Sequence, residues 1–436
     1  MTIIDITRDQ VVYGFPGTGK TYSIERAFER KLNEVKGKPE RQNILFISYT
    51  NTAVINLRER LGLSDKYVTT FHALAKRMIE AYRYCSGYKF EPNSFPIFCK
   101  LHNIPYSYDK FTRLPGNILE EKYQFFYYYS HIMDKKDIYS KLPEELKAYE
   151  DFKEDEKIID FSDLLYYFYR LVIEEDIRYN HVFADEAQDL APVQIETLCY
   201  MSDILTIVGD DAQAIYIPSD FYSLKDRLES YNIIQRCNRI PSNLIDLPKK
   251  YLEKFPDAVK KDVYAVKDGG NLYYGKVRIK ELKNLCDKLD NVAVLCRTNR
   301  IVKMLNSVLR FKTIKYSKII PDKVIDTIHA CKGLEFDNVI LINNTTEQQP
   351  TFMEWATWFV GISRMKTNLF ILDVIGTEKI KIPSNKWFNL PRCLKMKKSE
   401  NIKEDIEYII DNLNKPYISN KELFREIFKS FVPVEI

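Results

Sequence analysis

The chain has 436 residues, 45% of them hydrophobic, and its 65 Lys and Arg against 61 Asp and Glu leave a formal charge of +4; about two to four domains fit, and the balance permits nucleic-acid binding without demanding it. No run of about 18 apolar residues is present to span a membrane, and the opening MTIIDITRDQ lacks the basic-then-apolar order of a signal peptide. Eight cysteines without a C-x-x-C pair and five dispersed histidines argue against a zinc site and for reduced thiols, so a cytoplasmic or nuclear protein is expected, neither secreted nor membrane-bound.

The first predicted element is a short strand, Val11–Tyr13. It feeds Gly14-Phe15-Pro16-Gly17-Thr18-Gly19-Lys20-Thr21, a complete G-x-x-x-x-G-K-T loop, and a helix over Ser23–Arg30 leaves it. Glycines let successive backbone N–H groups turn toward a polyphosphate at a helix N-terminus. Lys20 reaches the β- and γ-phosphates, and the Thr21 hydroxyl completes the shell of a Mg²⁺ ion. The loop predicts a nucleoside triphosphate site; it does not say what the energy is used for.

Further strands are predicted at Ile44–Ser48, Val182–Ala184 and Leu205–Val208, then at Val292–Leu295, Val324–Thr327, Val339–Ile342 and Leu369–Leu372. Strands alternating with helical stretches predict two α/β units in tandem. Residues 80 to 158 differ: they are aromatic and helical, with Phe125-Phe126-Tyr127-Tyr128-Tyr129, and read as a helical insertion whose rings form core more readily than a base-stacking stripe. Pro248–Lys280, Lys-rich with Gly269-Gly270, reads as irregular. In the last 45 residues one helix is expected to turn Ile402, Ile406, Ile409, Ile410 and Leu413 to one face. A second opens with Ser419 and Glu422 as a capping box before Leu423, Phe424, Ile427 and Phe428. This tail is expected to pack on the second unit, with a protein partner as the alternative.

At His181-Val182-Phe183-Ala184-Asp185-Glu186-Ala187-Gln188-Asp189 an apolar strand ends in an acidic pair, at the edge where α/β folds bind ligands. Asp185 suits Mg²⁺, and Glu186 suits polarisation of a water for in-line phosphoryl transfer.

Asp185-Glu186-Ala187-Gln188-Asp189 resembles motif II of the UvrD/Rep/PcrA group of superfamily 1 helicases, and the group's other motifs follow in order. Ile44–Ala53 resembles motif Ia, Thr69–Ala75 motif Ib, Ile159–Leu165 the segment before motif II, and Val208–Tyr216 motif III. Cys237-Asn238-Arg239 stands where motif IV belongs, Thr327–Phe336 resembles motif V, and Phe359–Arg364 resembles motif VI. The resemblance spans roughly residues 11 to 372. It implies two tandem RecA-like P-loop NTPase domains with parallel sheets and a small helical insertion in the first. Residues 1–79 with 159–235 would form the first motor domain, 80–158 the helical accessory insertion, 236–385 the second motor domain, and 386–436 the helical C-terminal tail.

The resemblance also implies roles. Gly14, Pro16, Gly17, Thr18, Gly19, Lys20 and Thr21 would hold ATP, with Mg²⁺ on Thr21 and Asp185. Lys20, Asp185 and Glu186 would be catalytic, and Gln213 would sense the γ-phosphate. Arg239 and Arg364 would act as arginine fingers from the second lobe, and Glu335 would bond the ribose. Thr50, Asn51, Phe71, His72, Tyr216 and His329 would line a single-strand groove in which hydroxyl and amide groups hold phosphates and rings stack bases.

Four departures stand out. The nineteen residues before Lys20 leave no place for the adenine-contacting glutamine, and Gln10 sits too close to the loop. The tyrosine expected before the motif IV arginine is Asn238. Together these predict weak base discrimination, with GTP or CTP replacing ATP. The motif III tryptophan is absent after Tyr216, so its stacking ring is lost or replaced by Phe221 or Tyr222, and 25 residues between Arg300 and Asp326 cannot hold the large second accessory domain. The expectation is an ATP-driven translocase and helicase acting on single-stranded and tailed duplex DNA, 3′ to 5′. Two alternatives stay open: a nucleic-acid-stimulated ATPase motor or switch subunit that does not unwind, and an RNA helicase.

Overall fold

A computed structural model describes residues 4–37, 43–49, 51–108, 114–216, 221–255, 258–314, 321–346, 351–392 and 395–413. Thr50 and the tail segment carrying Ser419 to Phe428 lie outside these residues, as do the side chains of Thr52 and Tyr222. The chain folds as an α/β protein on two six-stranded sheets. The first runs, edge to edge, Val68–Thr69, Ile44–Ile47, His181–Ala184, Leu205–Gly209, Gln10–Gly14 and Ser230–Ile234. All its pairings are parallel, with Val12 opposite Val208 and Phe46 opposite Phe183. Its central strands are buried along their whole length, which is why they read as continuous apolar runs.

The second sheet runs Lys323–Thr327, Val292–Cys296, Phe336–Ile342, Met365–Ile375, Asn271–Arg278 and the short edge strand Lys397–Lys398. Only the last pairing is antiparallel. The strand Asn271–Arg278 and the helix Asp246–Glu253 correct the reading of Pro248–Lys280 as irregular. The strand was obscured because its burial is mixed and tyrosines and a glycine interrupt the aliphatic pattern. The helix Ile402–Asp411 buries Ile406, Ile409 and Ile410 in the second unit's core, and Lys250 and Lys254 meet its Glu407 and Asp411 at 2.7 and 3.2 Å.

Between the strands Val68–Thr69 and His181–Ala184 lies the helical insertion, with helices Ser94–Leu101, Pro115–Tyr129, Lys135–Lys141 and Glu144–Asp155. They close on a separate core of Phe95, Phe98, Tyr123, Phe126, Tyr127, Leu146 and Tyr149, so these rings serve packing. A buried ionic network roots this core on the helix Phe161–Glu174. Asp160 and Asp163 form a capping box at its start, and Lys153 meets Asp163 at 2.5 Å, Glu150 at 3.3 Å and Asp160 at 3.5 Å. Among the described residues no helix is long and apolar enough to cross a membrane.

Candidate nucleotide and nucleic-acid site

The phosphate loop bends because Gly17 and Gly19 both take φ +78°, a conformation L side chains rarely adopt. Gly17 is required twice over: a Cβ there would lie 2.3 Å from the Cβ of Arg239. The loop is therefore in direct contact with the segment from the second unit. Asn238 donates its N–H to the Gly17 carbonyl at 2.9 Å, and the Cys237 thiol approaches the Pro16 carbonyl at 3.2 Å. Phe15 turns its buried ring edge-on to Phe359 of the helix Phe352–Ile362, with centroids 5.6 Å apart. The helix Lys20–Glu34 starts at the loop, and its Lys20 ammonium donates to the Gly14 and Phe15 carbonyls at 3.4 and 3.3 Å.

The cleft over the loop holds about 360 Å³ and is lined from both units, by Lys20, Thr21, Asp185, Glu186, Gln213, Arg239 and Arg364 among others. Asp185 and Glu186 follow directly from the buried strand His181–Ala184. The Thr21 hydroxyl hydrogen-bonds Asp185, whose carboxyl is pushed up to about 7 by burial and by Glu186 beside it. Glu186 adopts the left-handed backbone at φ +53°, unusual for a side-chain-bearing residue and a form of strain that collects at functional sites. Burial works against its charge, yet Lys20, Lys332 and Gln188 hold it below the ordinary carboxylate range. Gln188 bridges motifs II and III: its amide donates to Glu186 at 2.5 Å, and its carbonyl accepts the Asp210 N–H at 2.9 Å. The bridge fits because Gly209 is bare, since a Cβ there would sit 2.6 Å from that carbonyl oxygen.

From the second unit, Arg364 is 2% exposed and donates to the Gln213 side-chain oxygen at 2.8 Å; Gln213 in turn bonds Asp210. Burial, and then the neighbouring Arg239, push the Arg364 guanidinium down to about 9. Arg239 reaches Glu335 at 2.7 Å. Lys261, buried, pairs with Asp210 at 3.2 Å and with Asp211, fixing motif III from the segment that follows helix Asp246–Glu253.

The donor set fits a Mg²⁺–triphosphate. Thr21 and Asp185 offer two hard oxygens, the number Mg²⁺ takes from protein when phosphates and water fill the rest of its shell. No group of three or more metal-ligating side chains competes for it among the described residues. The buried Ser48 hydroxyl lacks a protein partner and lines the same cleft.

Of the residues assigned to a nucleic-acid groove, Tyr216 is 39% exposed and stacks on Tyr49, with centroids 5.8 Å apart and planes at 13°. Lys332 sits 4.8 Å over the Tyr216 ring, and His329 lies 6.4 Å from it, largely buried. Asn51 is exposed at the start of helix Asn51–Leu61. His72 meets the exposed ring of Phe161 edge-on at 5.1 Å. Two expectations are corrected. Phe71 is 2% exposed with its ring against Phe168 at 5.5 Å, so it is core and not a stacking platform. Phe221 is fully buried against Tyr13, so it does not replace the missing tryptophan.

Sequence reasoning missed Lys332. It crosses the cleft to both oxygens of Asp189 at 2.6 Å and to the Gln213 carbonyl at 2.6 Å. Its signal in the sequence is its place inside motif V, between His329 and Glu335. Tyr49 was likewise inside motif Ia and unassigned.

Comparison with known proteins finds helicases. Residues 6–219 match the family model of an AAA domain, and residues 167–373 match that of the viral superfamily 1 RNA helicase core domain. A probable DNA helicase of Mycoplasma pneumoniae is 22% identical over 468 aligned positions, which cover 90% of this chain and 84% of that protein. DNA helicase IV of Escherichia coli strain K12 is 27% identical over 220 positions, covering 45% of this chain and 31% of its own length. The crystal structure of Arterivirus nonstructural protein 10, a helicase, is 13% identical with a TM-score of 0.38, covering 84% of this chain and 59% of that one. The two family matches together run from residue 6 to residue 373, and with these DNA helicase relatives they make the chain similar to the superfamily 1 helicases, with curated relatives of the UvrD/Rep type.

Proposed function

We propose that this chain is an ATP-driven translocase and helicase on single-stranded DNA, moving 3′ to 5′ and opening tailed duplexes. The observation that carries the reading is the composite cleft, in which Lys20, Asp185, Glu186 and Gln213 of the first unit face Arg239, Lys332 and Arg364 of the second. In this reading the loop N–H groups and Lys20 hold the triphosphate. Thr21 and Asp185 hold Mg²⁺, which screens phosphate charge when bound. Glu186 orients the attacking water and accepts its proton; Arg239 and Arg364 neutralise charge on the phosphoryl group as it transfers. Gln213, bonded to Arg364, reports the γ-phosphate to motif III and to Tyr216. Because both units contribute, loss of the γ-phosphate weakens the cross-cleft contacts, and the change in separation drives a step along the strand.

The test is ATP hydrolysis with and without single-stranded DNA, followed by strand displacement on 3′-tailed and 5′-tailed duplexes. DNA-stimulated hydrolysis with 3′-tail unwinding supports the reading. Stimulated hydrolysis without displacement supports the motor or switch subunit, which the absence of a tryptophan after Tyr216 favours. The match of residues 167–373 to a viral RNA helicase core favours a second substrate reading, and stimulation by RNA over DNA would decide for it.

A further inference from the structure

A second cleft, of about 430 Å³, lies beside the phosphate cleft and shares Gly19 with it. Its walls come from both units: Tyr22 and Ser23 from the first turn of helix Lys20–Glu34, and Arg236, Asn238 and Tyr264 from the second unit's entry segment. Two of these residues are large aromatic rings left open to solvent, Tyr22 at 53% and Tyr264 at 58%. Tyr264 is held in place by backbone. The pair Tyr264–Ala265 runs parallel to Arg236–Cys237, and the Tyr264 N–H donates to the Gln235 carbonyl at 2.9 Å. That segment is tied to the phosphate loop by the bond from the Asn238 N–H to the Gly17 carbonyl. The Tyr264 backbone is thus fixed in register with the loop, and its exposed ring lines the cleft, although the residue lies far along the chain.

A triphosphate seated over Gly17 to Lys20 continues into its nucleoside at the α-phosphate end, and the cleft that opens from Gly19 is the space available to it. We propose that Tyr22 and Tyr264 clamp the nucleobase between them, one ring from each unit, and that this clamp takes the place of the ring missing at Asn238. The inference rests on the nucleotide site proposed above and sharpens its specificity. Stacking reads the area of a base and not its edge, because every base presents a π-face. The site therefore prefers purine to pyrimidine triphosphates, which narrows the expected replacement of ATP to GTP and disfavours CTP, and it separates adenine from guanine weakly. It also makes base binding contribute to drawing the two units together.

Equilibrium binding by calorimetry tests the clamp without requiring turnover, using ATP, GTP, CTP and inorganic tripolyphosphate with Mg²⁺. For the wild type, ATP and GTP should bind within about threefold of each other, and CTP about tenfold more weakly. Tyr264→Ala should weaken ATP and GTP by about tenfold, leave tripolyphosphate unchanged, and be rescued by Tyr264→Phe. Tyr22→Ala should behave in the same way. Unchanged ATP affinity in both alanine variants overturns the clamp, as does wild-type ATP binding no tighter than tripolyphosphate. Either result leaves the phosphate site standing. A wild type that binds neither ATP nor tripolyphosphate overturns the nucleotide site itself, and the clamp with it.

Discussion

The cleft between the two units and the heart of the helical insertion both bury charge, and they handle its cost in opposite ways. In the insertion, Lys153 is answered by Asp163, Glu150 and Asp160, and Lys135 adds a second cation 3.3 Å from Asp163. Tyrosine hydroxyls bond the carboxylates, Tyr127 to Glu150 at 2.5 Å and Tyr149 to Asp160 at 2.8 Å. Each of these charges is met inside the insertion and its root. In the cleft, Arg239 and Arg364 stand beside each other, and Lys20 donates to backbone carbonyls. Arg239 and Lys332 do have carboxylate partners, Glu335 and Asp189, but the buried Lys20 and Arg364 donate only to neutral carbonyl, amide and hydroxyl oxygens, and a polyphosphate is the ligand that would answer their charge. A closed network holds shape; an open one holds a place for substrate.

Mutations in the two regions should therefore separate activity from stability. The largest effect is expected for Glu186→Gln, which keeps the shape of the side chain and removes its charge. Turnover should fall by on the order of 10³-fold with the circular dichroism spectrum unchanged; DNA-stimulated hydrolysis that persists would remove Glu186 as the base. In the insertion, Lys153→Met leaves Asp163 and Glu150 buried without their main partner. A loss of about 3–5 kcal/mol in unfolding free energy is expected, measured by urea denaturation. A stability near wild type would mean that the network is not closed as described.

How much of this was legible in the sequence follows from the range of each signal. The phosphate loop, the acidic pair after Ala184 and the central strands of both sheets depend on neighbours in the chain, and spacing alone carries them. Lys332 and Asp189 are separated by 143 positions, and their ion pair exists only because the two units meet. Phe71 shows the same limit. Its motif context was plain, but only the ring of Phe168 packed against it decides that it is core. The strand Asn271–Arg278 was hidden by its mixed burial, being set near the sheet edge between Met365–Ile375 and the short strand Lys397–Lys398.

Smaller effects sharpen the comparison further. Gly209→Ala brings a Cβ against the Gln188 carbonyl oxygen and the Phe221 ring, both within 2.7 Å. It should cost about 1–3 kcal/mol and lower turnover, because the link from Glu186 to Asp210 is displaced. Retained stability and turnover together would show that the bridge does not matter.

The smallest effect is a pH slope. His181 is fully buried in the first sheet, stacked on Phe183 at 4.0 Å with Nε2 2.9 Å from the Thr206 hydroxyl. Burial, and then Lys31, push its imidazole from the ordinary 6.5 down to about 3. Between these values the unfolded chain binds a proton that the folded chain refuses. The stabilisation is therefore complete above pH 6.5 and lost as pH falls toward 3. The denaturation midpoint should drop between about pH 7 and pH 5, and His181→Gln should show a shallower drop. Equal slopes would rule out His181 as the source.

The central claim is that Arg364 is buried for the sake of the transferred phosphoryl group and not for the fold. Steady-state ATP hydrolysis by Arg364→Met, in the presence of single-stranded DNA and at confirmed folding, tests it most directly. A fall in kcat on the order of 10³-fold with the unfolding midpoint preserved or raised is the predicted result. Turnover within a few-fold of wild type would contradict the account.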